Sequence, residues 1–190
     1  MNLNSEFLPQ EALESLGFGR LGVGVLIHPS VILINCGQIS LGDFVRIDAF
    51  TILSARQTIT LGRNVHIGAH CILTGQESIA LADFSGLSHG VKIYASSDDF
   101  SGTTMTNPTA PQRYRKVESR PVHIGRHAVV GSGTVILPGS EIGEGCAVGA
   151  MSLVNSSIDA WDIYAGIPAK KIGVRNRALL ELEAQWLSDD

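Results

Sequence analysis

Large aliphatic residues recur along this chain six positions apart, in groups of three, usually beside a glycine or another small residue. A helix would place apolar residues at intervals of three and four, and a half-buried strand would alternate them every two residues. The interval of six predicts short strands separated by turns, three strands to a coil, with one side chain per strand pointing inward. The residues that keep this interval are Leu21, Ile27, Leu33, Leu41, Ile47, Leu53, Leu61, Ile67, Leu73, Leu81, Leu87, Ile93, Ile124, Val130, Ile136, Ile142, Val148 and Val154.

The distance between successive groups gives the length of each coil. Leu21, Leu41, Leu61 and Leu81 head the first four groups at intervals of 20 residues, whereas the later coils repeat every 18. Three intervals of six account for 18, so each early coil carries two extra residues. We therefore expect an all-β solenoid. The alternative is a β-sandwich with short strands and glycine turns, which does not keep so strict a register.

We interpret the whole chain as one domain with helical ends and an interrupted solenoid. Helices are predicted from about Pro9 to Leu16, with Gly17 as a stop signal, and from about Asn176 to Leu187, with Asn176 as the N-cap. The predicted segments of the domain 1–190 are an N-terminal helix within 1–20, coils over 21–95 and 122–172, an inserted loop over 96–121, and a C-terminal helix within 173–190.

Composition argues against several function classes. The net charge is −4 and the pI about 5.8, so no overall basic field would attract nucleic acid or acidic membranes. The first residues contain acids and no long apolar run, which predicts neither a signal peptide nor a membrane-spanning helix. Cys36, Cys71 and Cys146 are far apart and lack zinc-ligand spacing, which predicts reduced thiols and no bound metal. We expect a cytoplasmic protein.

Two segments carry a family resemblance. The run VHIGRHAVVGSGTVILPGSEIGEGCAVGAMSLV covers Val122–Val154, and YAGIPAKKI covers Tyr164–Ile172. They resemble the hexapeptide-repeat acyltransferases, specifically the branch of maltose, galactoside and lipopolysaccharide O-acetyltransferases. The resemblance implies a left-handed parallel β-helix and a homotrimer that binds acetyl-CoA between subunits. It also implies transfer of an acetyl group to a sugar hydroxyl, in surface-polysaccharide or nucleotide-sugar metabolism.

The resemblance also directs attention to one histidine. Acetyl transfer to a hydroxyl needs a base, and relatives supply a histidine after the last strand before the interruption; here Asp98 stands at that position. His70 falls where relatives carry an asparagine that faces the acceptor. We therefore predict His70 as the base, oriented by Asp98 or Asp99. His89 is the second candidate, and a site without a side-chain base is the other alternative.

The remaining site residues are predicted by position. Residues that line the pantetheine groove in relatives match Ser132, Gly133, Gly149, Ala150 and Asn155 here. A basic residue near the coenzyme A phosphates matches Lys170. The second basic position of relatives falls on Gly173, a departure that Lys171 or Arg175 would have to cover.

The inserted loop is the candidate for acceptor recognition, because long loops on a rigid scaffold commonly carry function. We predict substrate contacts from Asn107, Arg113 and Tyr114 in the loop and from Tyr94 just before it. Two arginines of this loop, Arg113 and Arg115, would suit the diphosphate of a nucleotide-linked sugar. Packing of the loop on a neighbouring subunit is an equally good interpretation.

Three other functions fit the same scaffold. An N-acetyltransferase of a nucleotide-linked amino sugar needs the same groove and is the main alternative. A γ-type carbonic anhydrase would need three zinc histidines; His70 and His89 suggest two, but Ile93, Tyr94 and Ala95 stand where the third is expected. A non-enzymatic solenoid scaffold is the third possibility.

Overall fold

The computed structural model describes residues 7–189, in which short parallel strands wind into a β-helix of about seven turns. A small antiparallel hairpin interrupts the coils, and a helix stands at each end. In chain order the strands are β1 (Arg20–Leu21), β2 (Leu26–Ile27), β3 (Ile32–Ile34), β4 (Ile39–Leu41), β5 (Arg46–Ile47), β6 (Ile52–Ala55), β7 (Ile59–Leu61), β8 (His66–Ile67), β9 (Ile72–Gly75), β10 (Ile79–Leu81), β11 (Gly86–Leu87), β12 (Lys92–Tyr94), β13 (Ser96–Asp98), β14 (Val117–Ser119), β15 (Val122–Ile124), β16 (Val129–Val130), β17 (Val135–Ile136), β18 (Glu141–Ile142), β19 (Ala147–Val148), β20 (Leu153–Val154), β21 (Asp162–Ala165) and β22 (Lys170–Val174).

Each turn gives one strand to each of three sheets, which we call the first, second and third faces. The first face has the order β1-β4-β7-β10-β15-β18, and the third face has the order β3-β6-β9-β12-β17-β20. The second face has the order β2-β5-β8-β11-β16-β19-β21-β22. The faces meet at three edges: the first edge joins the first and second faces, the second edge joins the second and third faces, and the third edge leads from the third face to the next turn.

The aliphatic residues of the six-residue interval stack directly above one another. Leu41 pairs with Leu61, Leu61 with Leu81, and Leu81 with Ile124 on the far side of the insertion. All four are at most 2% exposed, so they form one continuous apolar column. Each such side chain contributes about 1.5–3 kcal/mol through burial. The predicted all-β solenoid is confirmed. The prediction of one inward residue per strand is wrong for several strands of three or four residues; β4, for example, buries both Ile39 and Leu41.

The two extra residues of each early turn all lie on the third edge. Leu53 and Leu61 bracket that edge in an early turn and are eight residues apart, whereas Ile136 and Ile142 bracket it in a late turn and are six apart. The insertion at 96–121 leaves the β-helix from the same edge. One edge therefore holds all the variation in turn length.

The insertion is more ordered than the expected loop. Its two ends, β13 and β14, pair antiparallel, with Ser96 opposite Ser119 and Asp98 opposite Val117. A short 3-10 turn, Gln112–Tyr114, precedes β14. The hairpin forms because two extended segments leave and rejoin the β-helix side by side, a relation that the sequence pattern of either segment does not show.

The ends of the solenoid differ in detail from the prediction. The N-terminal helix α1 is Gln10–Ser15, inside the predicted span, and its buried Leu13 covers the first turn. The coils were expected to continue to residue 172, but β22 runs antiparallel to β21. Gly166, at φ +103°, and Pro168 lie in the turn that reverses the chain. Neither helix within residues 7–189 has the length and apolarity needed to cross a bilayer.

The C-terminal helix α2 is Leu179–Asp189, so it begins later than predicted. Asn176 nevertheless caps it, because its Oδ1 accepts a hydrogen bond from the Ala178 N–H at 2.7 Å. The helix lies on the first edge. Its buried Glu183 accepts hydrogen bonds from His127 Nε2 at 2.9 Å and from Arg126.

Aromatic stacking completes this contact. The ring of His127 stacks on Phe84 with a centroid separation of 5.2 Å, and Trp186 of α2 meets Phe84 edge-on at 5.9 Å. Arg175 donates to the carbonyl oxygens of His127 and Gly145 at 2.7 and 3.1 Å. The first edge is therefore occupied by the chain's own C-terminus.

We expect Glu183→Ala to lower the free energy of unfolding by about 1–3 kcal/mol, because His127 and Arg126 lose their shared acceptor in a buried contact. Chemical denaturation monitored by circular dichroism measures the change. Glu181→Ala, which removes an exposed carboxylate from the same helix, is the control and should change stability by less than about 0.5 kcal/mol. Equal stability of Glu183→Ala and the unmodified protein would contradict this account of α2.

Candidate active site

The second edge brings together most of the residues predicted for catalysis and cofactor binding. Successive turns are joined there by backbone hydrogen bonds, for example from Gly90 N–H to Ala69 O at 2.9 Å and from Gly133 N–H to His89 O at 3.0 Å. Met151 N–H continues the series to Ser132 O at 2.8 Å. The predicted residues that lie on this edge are His70, His89, Ser132, Gly133, Gly149 and Ala150.

Glycine on this edge is required by the close approach of neighbouring turns. A Cβ atom on Gly131 would lie 2.5 Å from the backbone nitrogen of Ala150, in the next turn. Any larger residue at this position would push the turns apart. The edge therefore presents backbone rather than bulky side chains beside Ser132 and Ala150, as the predicted pantetheine groove requires.

His70 is exposed at the second edge and is held by its backbone. It adopts the left-handed conformation at φ +61°, and its N–H donates to Ala49 O at 3.0 Å. Its ring stacks on Phe50 with a centroid separation of 5.1 Å and an interplanar angle of 17°. Within residues 7–189 its ring nitrogens have no hydrogen-bond partner, so both are available to a ligand.

His89 has a different environment one turn later. Its Nδ1 accepts a hydrogen bond from the Ala69 N–H at 2.9 Å, which ties two turns together and leaves Nε2 as the nitrogen open to a ligand. It lines a pocket of about 230 Å³ on the second face and second edge, together with His66, Ser88, Val129 and Ser132 among others.

A histidine–aspartate pair that sequence reasoning missed borders the same pocket. His66 Nε2 lies 2.8 Å from Asp48 Oδ2, and Arg46 Nε lies 2.8 Å from Asp48 Oδ1. Burial alone would raise the pKa of Asp48, but the hydrogen bonds from His66 and Arg46 hold it below its usual value. The two partners of the pair lie on adjacent turns, 18 residues apart, so only the stacking of turns reveals the contact.

Ser88 is a second residue that the sequence interpretation missed. It is partly exposed in the pocket that also contains His66 and Ser132, and its N–H donates to Val130 O at 2.8 Å. Its carbonyl accepts from the Cys71 thiol at 3.2 Å, where burial raises the thiol pKa to about 11. The backbone of Ser88 is thus fixed, and the residue lines the pocket. Its place in the motif SHG beside His89 was the available signal.

Asp98 and Tyr94 lie at the third edge instead. Both line a pocket of about 480 Å³, with Phe100, Val135 and Leu137 among the apolar residues. Asn155 follows β20, which pairs with β17, so it stands beside Leu137 on the same edge. Its predicted role in the pantetheine groove would therefore have to be exerted from this edge.

Asp99 is committed to the insertion. Its carboxylate accepts hydrogen bonds from the N–H of Ser101 at 2.8 Å, the hydroxyl of Thr103 at 2.7 Å and the N–H of Thr104 at 3.0 Å. Bonds from the Ser101 and Thr103 hydroxyls, the Ser101 N–H and the Thr104 hydroxyl hold its pKa well below the usual range. Of the two carboxylates proposed to orient His70, Asp98 is thus the one that faces pockets.

One chain does not bring His70 and Asp98 together. His70 precedes β9 at the second edge, whereas Asp98 follows β12 at the third edge, so the full width of the third face separates them. The side-chain hydrogen bonds of residues 7–189 include none between the two. A site that contains both must draw them from different copies of the chain.

The loop residues predicted to bind substrate have mixed surroundings. Asn107 Oδ1 accepts hydrogen bonds from the N–H and hydroxyl of Thr109 at 3.1 and 2.9 Å, so its side chain stabilises a turn. Arg113 lies over the ring of Tyr114 at 4.7 Å, and both are exposed.

The basic residues near the C-terminus differ in the contacts that their side chains make. Lys170 is exposed on β22. Lys171 Nζ lies 2.7 Å from Asp162 Oδ2, and this hydrogen bond raises the lysine pKa. Arg175 is bound to backbone carbonyls as described above. Of these three residues, Lys170 is the one whose side chain has no hydrogen bond or ion pair within residues 7–189.

Residues 7–189 contain no group of three or more histidine, cysteine, aspartate or glutamate side chains placed to hold a metal ion. His70 and His89 lie on successive turns of the second edge, but a third ligand does not join them within the described chain. The arrangement offers an open histidine, a serine residue, a carboxylate on another edge and exposed backbone, which are groups that acyl transfer can use.

Comparisons with known proteins agree with this interpretation. Residues 121–156 match the family model described as bacterial transferase hexapeptide (six repeats). The chain is 36% identical over 179 residues to a dTDP-4-amino-4,6-dideoxy-D-glucose acyltransferase of Escherichia coli, covering 94% of this chain and 93% of that protein. A lipopolysaccharide biosynthesis O-acetyl transferase of E. coli K12, assigned only putatively, is 43% identical, but over 36% of this chain and 35% of its own length.

Solved structures show the same relationship. AntD, an N-acyltransferase from Bacillus cereus, is 42% identical in its complex with dTDP and 3-hydroxybutyryl-CoA, with a TM-score of 0.94 over 97% of this chain and 98% of that chain. A variant of the same protein was solved with dTDP-4-amino-4,6-dideoxyglucose and coenzyme A, at 41% identity and a TM-score of 0.95 over 98% and 100%. The variants solved replace a serine or an aspartate ten positions after it.

The two histidines of the second edge should contribute differently to the free energy of unfolding. We expect His89→Ala to lower the free energy of unfolding by about 0.5–1.5 kcal/mol, because the Ala69 N–H loses its acceptor. His70→Ala removes a ring with no such bond and should cost less. Denaturation curves of the two variants measure the difference. A larger loss for His70→Ala than for His89→Ala would show that the hydrogen bond between Ala69 and His89 does not stabilise the fold as described.

Proposed function

We propose that this chain, which belongs to the hexapeptide-repeat acyltransferase family, transfers an acyl group from coenzyme A to the amino group of a dTDP-linked 4-amino-4,6-dideoxy sugar. Relatives that align over nearly the whole chain support an amino acceptor. The sequence interpretation favoured a sugar hydroxyl and kept the amine as its alternative. The relative that carries a hydroxyl-directed description aligns with about a third of the chain, so the alternative is better supported.

The observation that carries this proposal is a serine–aspartate pair. Ser88 and Asp98 are ten positions apart, the spacing of the serine and aspartate substituted in AntD. The other pair at this spacing, Ser152 and Asp162, is excluded because the alignment covers 98% of this chain and 100% of AntD, so the two numberings differ by only a few residues. We therefore place Ser88 and Asp98 at the reacting centre.

Each residue has a chemical role in this proposal. The sugar amine attacks the thioester carbonyl, and the Ser88 hydroxyl donates a hydrogen bond to the oxyanion that forms. Asp98 positions the amine, and the proton that the nitrogen releases passes to Asp98 or to His70. The tetrahedral intermediate then expels the coenzyme A thiolate, which takes up a proton. An amine is a better nucleophile than a hydroxyl, so a carboxylate can replace the histidine of the sugar O-acetyltransferases.

We place this centre between two copies of the chain, because Ser88 and His70 lie on the second edge and Asp98 on the third. The third face separates these edges within one chain, and its outward residues are unusually apolar. Sheet faces exposed to water usually carry polar residues. Six outward residues of this face stack in register, one from each strand: Ile32, Ile52, Ile72, Lys92, Val135 and Leu153.

The corresponding row of the first face is more polar: Ser40, Thr60, Ala80, His123 and Glu141. This contrast supports contact between copies through the third face. The homotrimer stays a prediction from the family resemblance. The acyl donor would lie along the second edge beside Ser132, Gly149 and Ala150, with its phosphates near Lys170.

Acceptor chemistry can be tested directly. We expect release of free coenzyme A thiol from acetyl-CoA or 3-hydroxybutyryl-CoA with dTDP-4-amino-4,6-dideoxyglucose, and at least about 100-fold less with the matched dTDP-sugar that carries a hydroxyl at C4. Mass spectrometry of the product identifies the transferred acyl group. Faster turnover of the hydroxyl sugar would overturn the proposed amino acceptor.

The two-copy site predicts complementation. Ser88→Ala and Asp98→Asn should each lower kcat/KM by about 10–1,000-fold, since each removes a polar contact at the reacting centre. Mixed oligomers prepared by co-expression should regain part of the activity, because some interfaces would pair an intact Ser88 with an intact Asp98. Glu181→Ala mixed with the unmodified chain is the control. Absence of any recovery, or a monomer by light scattering, would contradict the shared site.

A further inference from the structure

A polar pocket at the third edge is not used by the chemistry described so far. It has a volume of about 420 Å³ and lies between the turns of the β-helix and the insertion. Arg56 and Gln76 come from two of the lengthened turns, and the insertion supplies the rest. The residues that line it are Arg56, Gln76, Pro108, Gln112, Arg115 and Val117.

Two guanidinium groups face this pocket without a carboxylate partner. Within residues 7–189, neither Arg56 nor Arg115 forms an ion pair. The Nε atom of Arg115 is buried, and no hydrogen-bond acceptor in the described chain reaches it. A buried donor without an acceptor is costly, so the arrangement indicates that an acceptor arrives with a ligand. Gln76 and Gln112 add amide donors beside the two arginines.

We propose that this pocket binds the diphosphate of the nucleotide-linked acceptor, a conclusion that rests on the function proposed above. Arginine is suited to phosphate because its planar fork donates paired hydrogen bonds to two oxygens. Arg113, which the sequence made the leading candidate together with Arg115, stacks on Tyr114 outside this pocket. We therefore assign the diphosphate to Arg115 and Arg56 instead of Arg115 and Arg113.

The position of the pocket relative to Asp98 supports this assignment. An adjoining pocket of about 220 Å³ shares Gln76, Pro108, Arg115 and Val117 with it, and contains Asp98 on its other side. Asp98 in turn lines the apolar pocket of Tyr94 and Phe100. A diphosphate held by the arginines would therefore place the attached sugar toward Asp98, where we place the amine.

The order of the turns separates this pocket from the coenzyme A residues. Arg56 follows the second turn and Gln76 the third, whereas Asp98 follows the fourth. Ser132 and Ala150 belong to the fifth and sixth turns, and Lys170 comes after the last parallel strand. Since turns are about 4.8 Å apart, Arg56 lies roughly 10 Å below the turn that Asp98 follows, on the side away from the residues predicted to bind the cofactor. In this proposal the acceptor diphosphate and the coenzyme A phosphates bind at different heights along the axis and on different edges.

The test is calorimetric titration of the full chain with dTDP, thymidine and coenzyme A. The unmodified protein should bind dTDP more tightly than thymidine. Arg115→Gln and Arg56→Gln should each weaken dTDP binding by about tenfold or more, since each removes a charged donor to phosphate. Both should leave the affinities for thymidine and coenzyme A within about twofold. In turnover, the KM of the amino-sugar acceptor should rise and that of the acyl-CoA should not.

Lys116→Gln is the matched control, because it removes an exposed positive charge next to Arg115 and does not line the pocket. Unchanged dTDP affinity in both arginine variants, equal losses for dTDP and coenzyme A, or no preference of the unmodified protein for dTDP over thymidine would each overturn the proposal. Loss of dTDP affinity in a protein that acylates no nucleotide-linked amine would refute the proposed function alone. Amine acylation with an unaltered acceptor KM in both variants would refute the pocket alone.

Discussion

The in-register stacking of parallel turns is the constraint on which the rest of this molecule depends. Each inward aliphatic residue rests on its equivalent in the turn before, as Leu61 rests on Leu41 and Leu81 on Leu61. The backbone hydrogen bonds that hold this register allow little sliding, because one step would turn the apolar column outward. Edge positions therefore form straight columns, and the number of a turn fixes the height of every side chain along the axis. Ser88, Asp98 and the two arginines take their relative heights from this rule.

The three edges are used differently. The first edge is covered by α2, whose Glu183 binds His127 and Arg126. The contacts at this edge therefore stabilise the fold. The second edge is lined by small residues and exposed backbone, which suits an extended thioester carrier. The third edge holds the insertion and the polar pockets. Because the apolar third face lies between the latter two, an assembly through that face would join the open edges and leave the closed one outside.

Sequence alone predicted the fold well, and the residues that it proposed for the site stay predictions. The six-residue interval identified one series of inward residues, the lengths of the turns and the position of the interruption, because these follow from a local period. It missed further buried residues such as Ile39 and Ile59. Asn176 was also recognised as a cap, since capping depends on neighbouring residues only. The pairing of β13 with β14, and of His66 with Asp48, depends on segments that are distant in the chain, so no local pattern could show it. Asp98 was noticed as a departure from sugar O-acetyltransferases, and the role proposed for it depends on relatives that act on amines.

The lengthened third edge has a further consequence. Leu41, Leu61 and Leu81 stay stacked across the two-residue extensions, and Leu81 stays stacked on Ile124 across the 26-residue insertion at 96–121. The apolar column therefore does not depend on the length of what is added at this edge. Segments of other chains could therefore be inserted at this edge without disturbing the apolar column. A segment exchanged between relatives at residues 96–121 would bring its own acceptor contacts, including the equivalent of Arg115, while the thioester groove on the neighbouring edge would stay as it was. Under the proposed function, acceptor recognition and acyl-CoA binding would therefore lie on different edges of the same β-helix.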